Sequence, residues 1–266
     1  MIFMENPRKY GRPPFRAALI HGGPGAAGEL APVAVAMSSE ISILEPLQTA
    51  DSLDGQVAEL KAILEKEKIG PLVLAGFSWG AWLAFILAAR HPALVKKIIL
   101  ISSGPFEEKY VHTITEARFA RLSMAERAEA AELIKQVESP VATGRAGAFA
   151  RLGVLLSRTD AYNPEPEDAE SGNPVILDAN IFQRVWKEAV QLRRGGDLLS
   201  CASMIKCPVT AIHGDYDPHP AGGVSEPLGA VIKNFNFILL KDCGHRPWAE
   251  KDAKQKFYEI LKKEIG

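Results

Sequence analysis

Leu72-Val73-Leu74-Ala75-Gly76-Phe77-Ser78-Trp79-Gly80-Ala81 joins two apolar runs through a single serine. The first run has strand length and ends at Gly76. The second begins at Trp79 and carries no charge until Arg90. A helix that is apolar on nearly all sides is buried. Glycine stands two residues before Ser78 and two residues after it. A strand that turns straight into a helix folds sharply. Its apex residue is held in a strained backbone conformation, and side chains at the flanking positions would collide across the turn. The pattern predicts a serine hydroxyl raised at the end of a sheet, beside a helix N-terminus, and fixed as rigidly as a nucleophile requires. Glycines around a serine are a weak signal alone; the strand before and the helix after give them weight.

The rest of the chain sets the bounds. Its 266 residues, 47% hydrophobic and 24% charged, suit one large α/β domain or two small ones. A net charge of −1 with no basic stripe excludes nucleic acid as an expected partner. No apolar run reaches membrane-spanning length. Residues 1–14 lack the apolar core and cleavage site of a signal peptide, so a cytoplasmic location is expected. Cys201, Cys207 and Cys243 cannot all pair with one another and have no metal-ligand spacing, so reduced thiols, no metal and no cofactor are expected. A monomer or a dimer is expected.

In chain order, residues 1–14 read as an arm with at most a short strand over Met1–Met4. Phe15–Ile20 is a buried strand that ends at His21-Gly22-Gly23-Pro24-Gly25, a turn with exposed backbone N–H groups. Helix is expected over Glu29–Ser38 and strand over Ile41–Leu44. Asp51 or Ser52 can cap a helix whose Leu53, Val57, Leu60, Ile63 and Leu64 recur at helical spacing. After the Ser78 strand and its helix, Lys97–Ile101 is a further strand. Near-continuous apolar strands alternating with helices predict a parallel sheet covered on both faces.

The rhythm changes after Gly104. Helices are expected within Glu116–Arg121, Met124–Val137, Ala146–Leu156 and Asn180–Leu192, with an acidic, proline-containing loop over Asn163–Glu170. This block, 105–200, reads as a helical lid inserted after the fourth strand. The core is expected over 1–104 and 201–266. The sheet resumes at Pro208–His213 and closes with Asn236–Leu240. Helices are expected over Val224–Ile232 and Trp248–Ile265.

Ligands of an open parallel sheet bind at the carboxyl ends of its strands. Four such ends carry polar residues: His21-Gly22-Gly23, Ser78, the Asp215/Asp217 loop and His245. A serine hydroxyl needs a base in reach, and the base needs a third group to set its tautomer. His219 lies two residues from Asp217, too close along the chain to receive its carboxylate in a relaxed geometry. His245 tops a separate strand. The expected set is therefore Ser78 as nucleophile, Asp217 as acid and His245 as base, with Asp215 shaping the turn. The backbone N–H groups of Trp79 and Gly23 are the expected oxyanion donors. His21 is expected to fix the glycine turn.

These motifs resemble the α/β-hydrolase family over essentially the whole chain from Ala17 onward. His21–Gly25 together with Gly76–Gly80 are most similar to the proline iminopeptidase branch. The resemblance implies an α/β-hydrolase fold and supports the triad and oxyanion roles. A metal-free serine hydrolase is then expected, acting on a small-molecule or short-peptide ester or amide through an acyl-enzyme. An aminopeptidase of the proline iminopeptidase type and a non-catalytic ligand-binding member are the alternatives. Two features depart from the family. Too few residues precede the His-Gly strand for the usual leading strand pair, so a sheet of about six parallel strands is expected, with Ile41–Leu44 as an edge that could pair across a dimer. The branch's Trp-Glu amine anchor is interrupted here as Trp186-Lys187-Glu188. Phe149, Phe182 and Trp186, with Phe106 and Tyr110, are candidates for lining a substrate pocket, and Glu188 for holding a substrate amine.

Overall fold

The structure, a computed structural model, describes residues 5–67, 70–138, 144–166 and 176–266. The expected Met1–Met4 strand lies outside them, as does the second half of the acidic loop, 167–170. The first elements are β1 (Arg8–Tyr10), β2 (Ala17–Ile20), β3 (Ala26–Ala27), α1 (Ala31–Met37) and β4 (Ile43–Glu45). They are followed by α2 (Leu53–Glu67), β5 (Leu72–Phe77), α3 (Trp79–Arg90) and β6 (Val95–Ile101). An all-helical stretch follows with α4 (Val111–Ala120), α5 (Met124–Glu138) and α6 (Arg145–Thr159). Next come β7 (Ile176–Leu177), α7 (Ala179–Arg194) and α8 (Asp197–Ser200). The chain closes with β8 (Val209–Gly214), α9 (Gly222–Val231), β9 (Phe235–Leu240) and α10 (Lys254–Ile265).

The main sheet has seven strands in the order β1-β4-β2-β5-β6-β8-β9. Six are parallel, and β1 pairs antiparallel with β4, Lys9 opposite Leu44. This corrects the expectation that β4 is an edge. The short N-terminal arm supplies one antiparallel strand, which covers β4 and leaves no edge there for a dimer.

Strand residues alternate between two cores, as a period of two requires. Leu72 and Leu74 of β5 face a cluster built with α2, α3 and α9, which also contains Phe106 and, from the helical stretch, Val185, Ala189 and Leu198. Val73, Ala75 and Phe77 face the opposite cluster, built with α1 and α10. A small third cluster holds Leu122, Ala130 and Leu155. The helices after β6 therefore split. α7 and α8 belong to the main core, whereas α5 and α6 pack on each other.

Helix α3 shows why the elbow holds. Every residue from Trp79 to Ala89 is buried. Ser78, its N-cap, sits at φ 52° and ψ −113°, a conformation costing about 1–3 kcal/mol. Burying Leu83, Phe85, Ile86 and Leu87 contributes about 1.5–3 kcal/mol each, which outweighs the strain. Both glycines are required by contact. A Cβ on Gly76 would lie 2.1 Å from the Gly80 carbonyl oxygen, and one on Gly80 would lie 2.2 Å from that of Ile20.

Candidate active site

The carboxyl ends of β2 and β5, the loop after β9, α6 and the segment leaving it meet at one cavity of about 630 Å³. Its wall includes Gly23, Ser78, Phe182 and His245. Ser78 stands between β5 and α3, with its own N–H donating to the Ile101 carbonyl at 2.9 Å. The backbone N–H of Trp79 opens α3 and is one of the donors a helix start leaves without an intrahelical acceptor. The Trp79 indole instead points inward, its Nε1 donating to Gln56 Oε1 at 3.0 Å.

His245 rests against Phe77, with ring centroids 4.8 Å apart. Its Nδ1 lies 2.8 Å from Asp217 Oδ2. An ionised carboxylate only accepts, so Nδ1 carries the proton and Nε2 keeps its lone pair. No hydrogen bond between Ser78 Oγ and this ring is present among the described residues, and substrate-free sites often close that contact only when occupied. Burial works against the His245 imidazolium, yet Asp217 and, more weakly, Asp160 outweigh burial and Arg118, raising its pKa above the ordinary 6.5. Burial also pushes the Asp217 carboxyl upward, but His245, His219 and His213 together hold it well below the usual carboxylate range.

His219 corrects the sequence-based reading. Its ring Nδ1 and its backbone N–H each lie 2.9 Å from Asp217 Oδ1. Spacing along the chain suggested that the ring could not reach. The backbone N–H bond folds Asp217 and His219 into a tight local turn, which brings the ring round as well. His213 closes the cluster: its Nε2 donates to the His219 carbonyl at 2.8 Å and lies 3.6 Å from Asp217 Oδ2. Asp215, by contrast, accepts the Cys243 N–H at 3.2 Å and ties the two loops together. Asp217, His219 and His245 are also the group of metal-capable side chains whose donor atoms lie within 4.8 Å of one another among the described residues. Those atoms already hydrogen-bond one another.

The glycine turn is pinned from both sides. His21 is fully buried, its Nδ1 donating to the Gly22 carbonyl at 2.7 Å and its Nε2 accepting the Gln48 N–H at 3.2 Å. Burial pushes its pKa down to about 4, so the ring is neutral. Gly25 accepts the Asp178 N–H at 2.8 Å, and β3 beside it pairs with β7. Glu29 lines the cavity near this turn with Arg246, 3.4 Å from it. Burial raises the Glu29 carboxyl against the opposing influence of Arg246, His245 and the Gly22 amide.

Of the pocket candidates, Phe182 reaches the cavity. Trp186 stacks on Trp82 at 5.8 Å, with rings 4° from parallel, and is not among the cavity-lining residues. Glu188 accepts the Leu53 N–H at 2.7 Å and so serves the start of α2 rather than the cavity. Phe106 is buried against Phe85, and Tyr110 bonds Glu226. The Phe149 side chain lies outside the described ones. The three cysteines are free thiols, and burial pushes the Cys243 thiol up.

Glu250 carried no signal in the sequence. It is buried and accepts three backbone N–H groups: Gly244 at 3.0 Å, Tyr162 at 2.9 Å and Asn163 at 2.7 Å. His245 N–H meanwhile donates to the Asp160 carbonyl at 2.7 Å. The segment leaving α6 is thus stapled to the histidine loop. Glu250→Ala should destabilise the protein by about 2–4 kcal/mol in denaturant unfolding, since each buried donor left unpaired costs about 1–3 kcal/mol. A loss below about 0.5 kcal/mol, the usual range of surface changes, would show that the staple holds nothing.

Comparison with known proteins agrees with this architecture. A family model described as the alpha/beta hydrolase fold matches residues 38–251. A pimeloyl-[acyl-carrier protein] methyl ester esterase of Neisseria meningitidis is 24% identical over 208 residues, 77% of this chain and 70% of that protein. A crystal structure described as a putative lipase from Acinetobacter baumannii superposes with a TM-score of 0.65 at 18% identity, covering 96% of this chain and 86% of that one. Proline iminopeptidase from Mycobacterium smegmatis gives 0.60 at 16% identity, over 97% and 93%. Among the described residues no helix is long and apolar enough to cross a membrane. With a mostly parallel sheet, a strained serine elbow and a family match spanning most of its length, this chain belongs to the α/β-hydrolase family.

Proposed function

We propose that this enzyme is a serine hydrolase that cleaves a small-molecule ester through an acyl-enzyme. The observation that carries the reading is the 2.8 Å contact that fixes His245 Nδ1 on Asp217, in the wall of the cavity that holds Ser78. Ser78 Oγ attacks the substrate carbonyl while His245 Nε2 takes its proton. The tetrahedral oxyanion is met by the N–H groups of Trp79 and Gly23; the Gly22 amide is turned to Glu29. Collapse expels the alcohol, which takes the proton from His245. Water then attacks the acyl group with the same histidine as base, releasing the acid and restoring Ser78. α6 and the segment leaving it, with Phe182 of α7, act as a lid over this cavity.

An ester is preferred to a prolyl peptide on two grounds. A relative of this chain is named an ester hydrolase. Glu188, the sequence-based amine anchor, is engaged at α2. Comparing a short-chain p-nitrophenyl ester with prolyl p-nitroanilide tests this. Ester cleavage at the higher kcat/KM is expected, together with fluorophosphonate labelling of Ser78. Faster cleavage of the prolyl amide would make the enzyme an exopeptidase. Absence of labelling would make it a non-catalytic ligand-binding member.

The raised pKa of His245 fixes the sign of the pH dependence. The base must be neutral to accept the serine proton, so kcat/KM should rise with pH and reach half its plateau above 6.5. A profile already flat below that value would remove His245 as the base.

A further inference from the structure

The Asp217 carboxylate serves two imidazoles, and the mechanism above uses one. Oδ2 faces His245 Nδ1 at 2.8 Å, while Oδ1 takes the ring Nδ1 and the backbone N–H of His219, each at 2.9 Å. Because the carboxylate only accepts, His219 Nδ1 also carries a proton. The two rings lie face to face, with centroids 4.5 Å apart and planes 27° from parallel. His219 is itself clamped, since its carbonyl accepts the buried His213 Nε2–H at 2.8 Å. Its placement is therefore determined from three directions: Asp217, His213 and the stacked His245.

We propose that His219 is a positioning residue: its Nδ1–H draws on the charge of Asp217 and thereby sets how strong a base His245 is. Two donors on one carboxylate compete. Each hydrogen bond made to Oδ1 leaves less negative charge at Oδ2 to stabilise the His245 imidazolium. His219 does this without adding a charge of its own, because burial pushes its pKa down to about 4 against the pull of Asp217. The remaining groups around His245 are fixed in each variant below: Asp160 with its Arg118 partner, Glu29 with Arg246, His213, and Glu250 behind Gly244.

The inference builds on the proposed role of His245, but its test needs no turnover. The titration of the His245 imidazole is followed by proton–nitrogen NMR in the unmodified enzyme, in His219→Phe and in His219→Asn. Phenylalanine keeps a ring against His245 and removes the donor. Asparagine removes the ring and offers an amide N–H where Nδ1 stood. The His219→Phe variant should titrate roughly 0.5–1 unit higher, and His219→Asn within about 0.2 unit of the unmodified enzyme. The acid limb of kcat/KM should move up with the titration, at unchanged KM. If His219→Phe titrates as the unmodified enzyme does or lower, or if both variants shift together, the donor is not what tunes His245 and the proposal fails. Failure of the hydrolase reading shows separately, as absence of Ser78-dependent turnover with the titrations intact.

Discussion

Ser78→Ala should lower kcat for a p-nitrophenyl ester by about 10⁴-fold or more while leaving the fold unchanged. The size follows from the parts. On the proposed mechanism no acyl-enzyme forms without the hydroxyl, and what would remain is binding and the two proposed oxyanion donors, which in serine proteases still accelerate hydrolysis by roughly 10³–10⁴ over water. The stability expectation follows from the elbow. The positive φ of Ser78 is imposed by the contacts of Gly76 and Gly80 and by the burial of α3, and none of these involves the hydroxyl. Alanine fits the same space and meets the same strain. Thermal unfolding should therefore stay within about 1 kcal/mol of the unmodified enzyme. Turnover within about tenfold of the unmodified enzyme would mean that the hydrolysis proceeds without Ser78. Loss of activity accompanied by unfolding would mean that the hydroxyl holds the elbow.

The elbow was legible because two glycines, a serine and an uncharged helix admit few other arrangements. β5 and α3 were expected near Leu72 and Trp79, and the structure places them there. The parallel order was legible for the same reason, since buried strands alternating with helices permit little else. β1 was missed. Arg8–Tyr10 has charges at two of three positions, and its pairing with β4 comes from tertiary contact, not from an apolar pattern. β3 and β7 are two residues long, below the reach of any periodicity.

At the site, Ser78, Asp217 and His245 were legible as polar residues at strand ends. The structure brings Asp217 and His245 into contact and sets Ser78 in the cavity that His245 lines. Chain spacing argues against His219 because it treats the backbone as extended. The local turn closes that distance. Glu250 and Asp160 act through contacts between segments far apart in sequence, which no local pattern encodes. Glu188 is a candidate taken from resemblance, and in the structure one of its carboxylate oxygens accepts the Leu53 N–H.

Asp217→Asn should lower kcat by about 10⁴-fold, the loss that amidation of a triad aspartate causes in serine proteases. The local geometry explains why the amide cannot adapt. An asparagine has one acceptor and one donor end, and rotation could in principle offer the acceptor to His245. The backbone N–H of His219, 2.9 Å from Oδ1, forbids that. Unlike an imidazole, it has no second tautomer, so the amide oxygen must stay at the Oδ1 position. The NH₂ group then faces His245 Nδ1, which must give up its proton and become the acceptor. His245 moves to the tautomer with hydrogen on Nε2, and the atom facing the cavity can no longer take a proton from Ser78. KM should change little, because Asp217 lies behind the histidine and is not among the residues lining the cavity. Steady-state kinetics with the same ester measure both parameters. If Asp217→Asn keeps kcat within about tenfold, the histidine is being oriented by another acid, and Asp215 on the same loop becomes the residue to test.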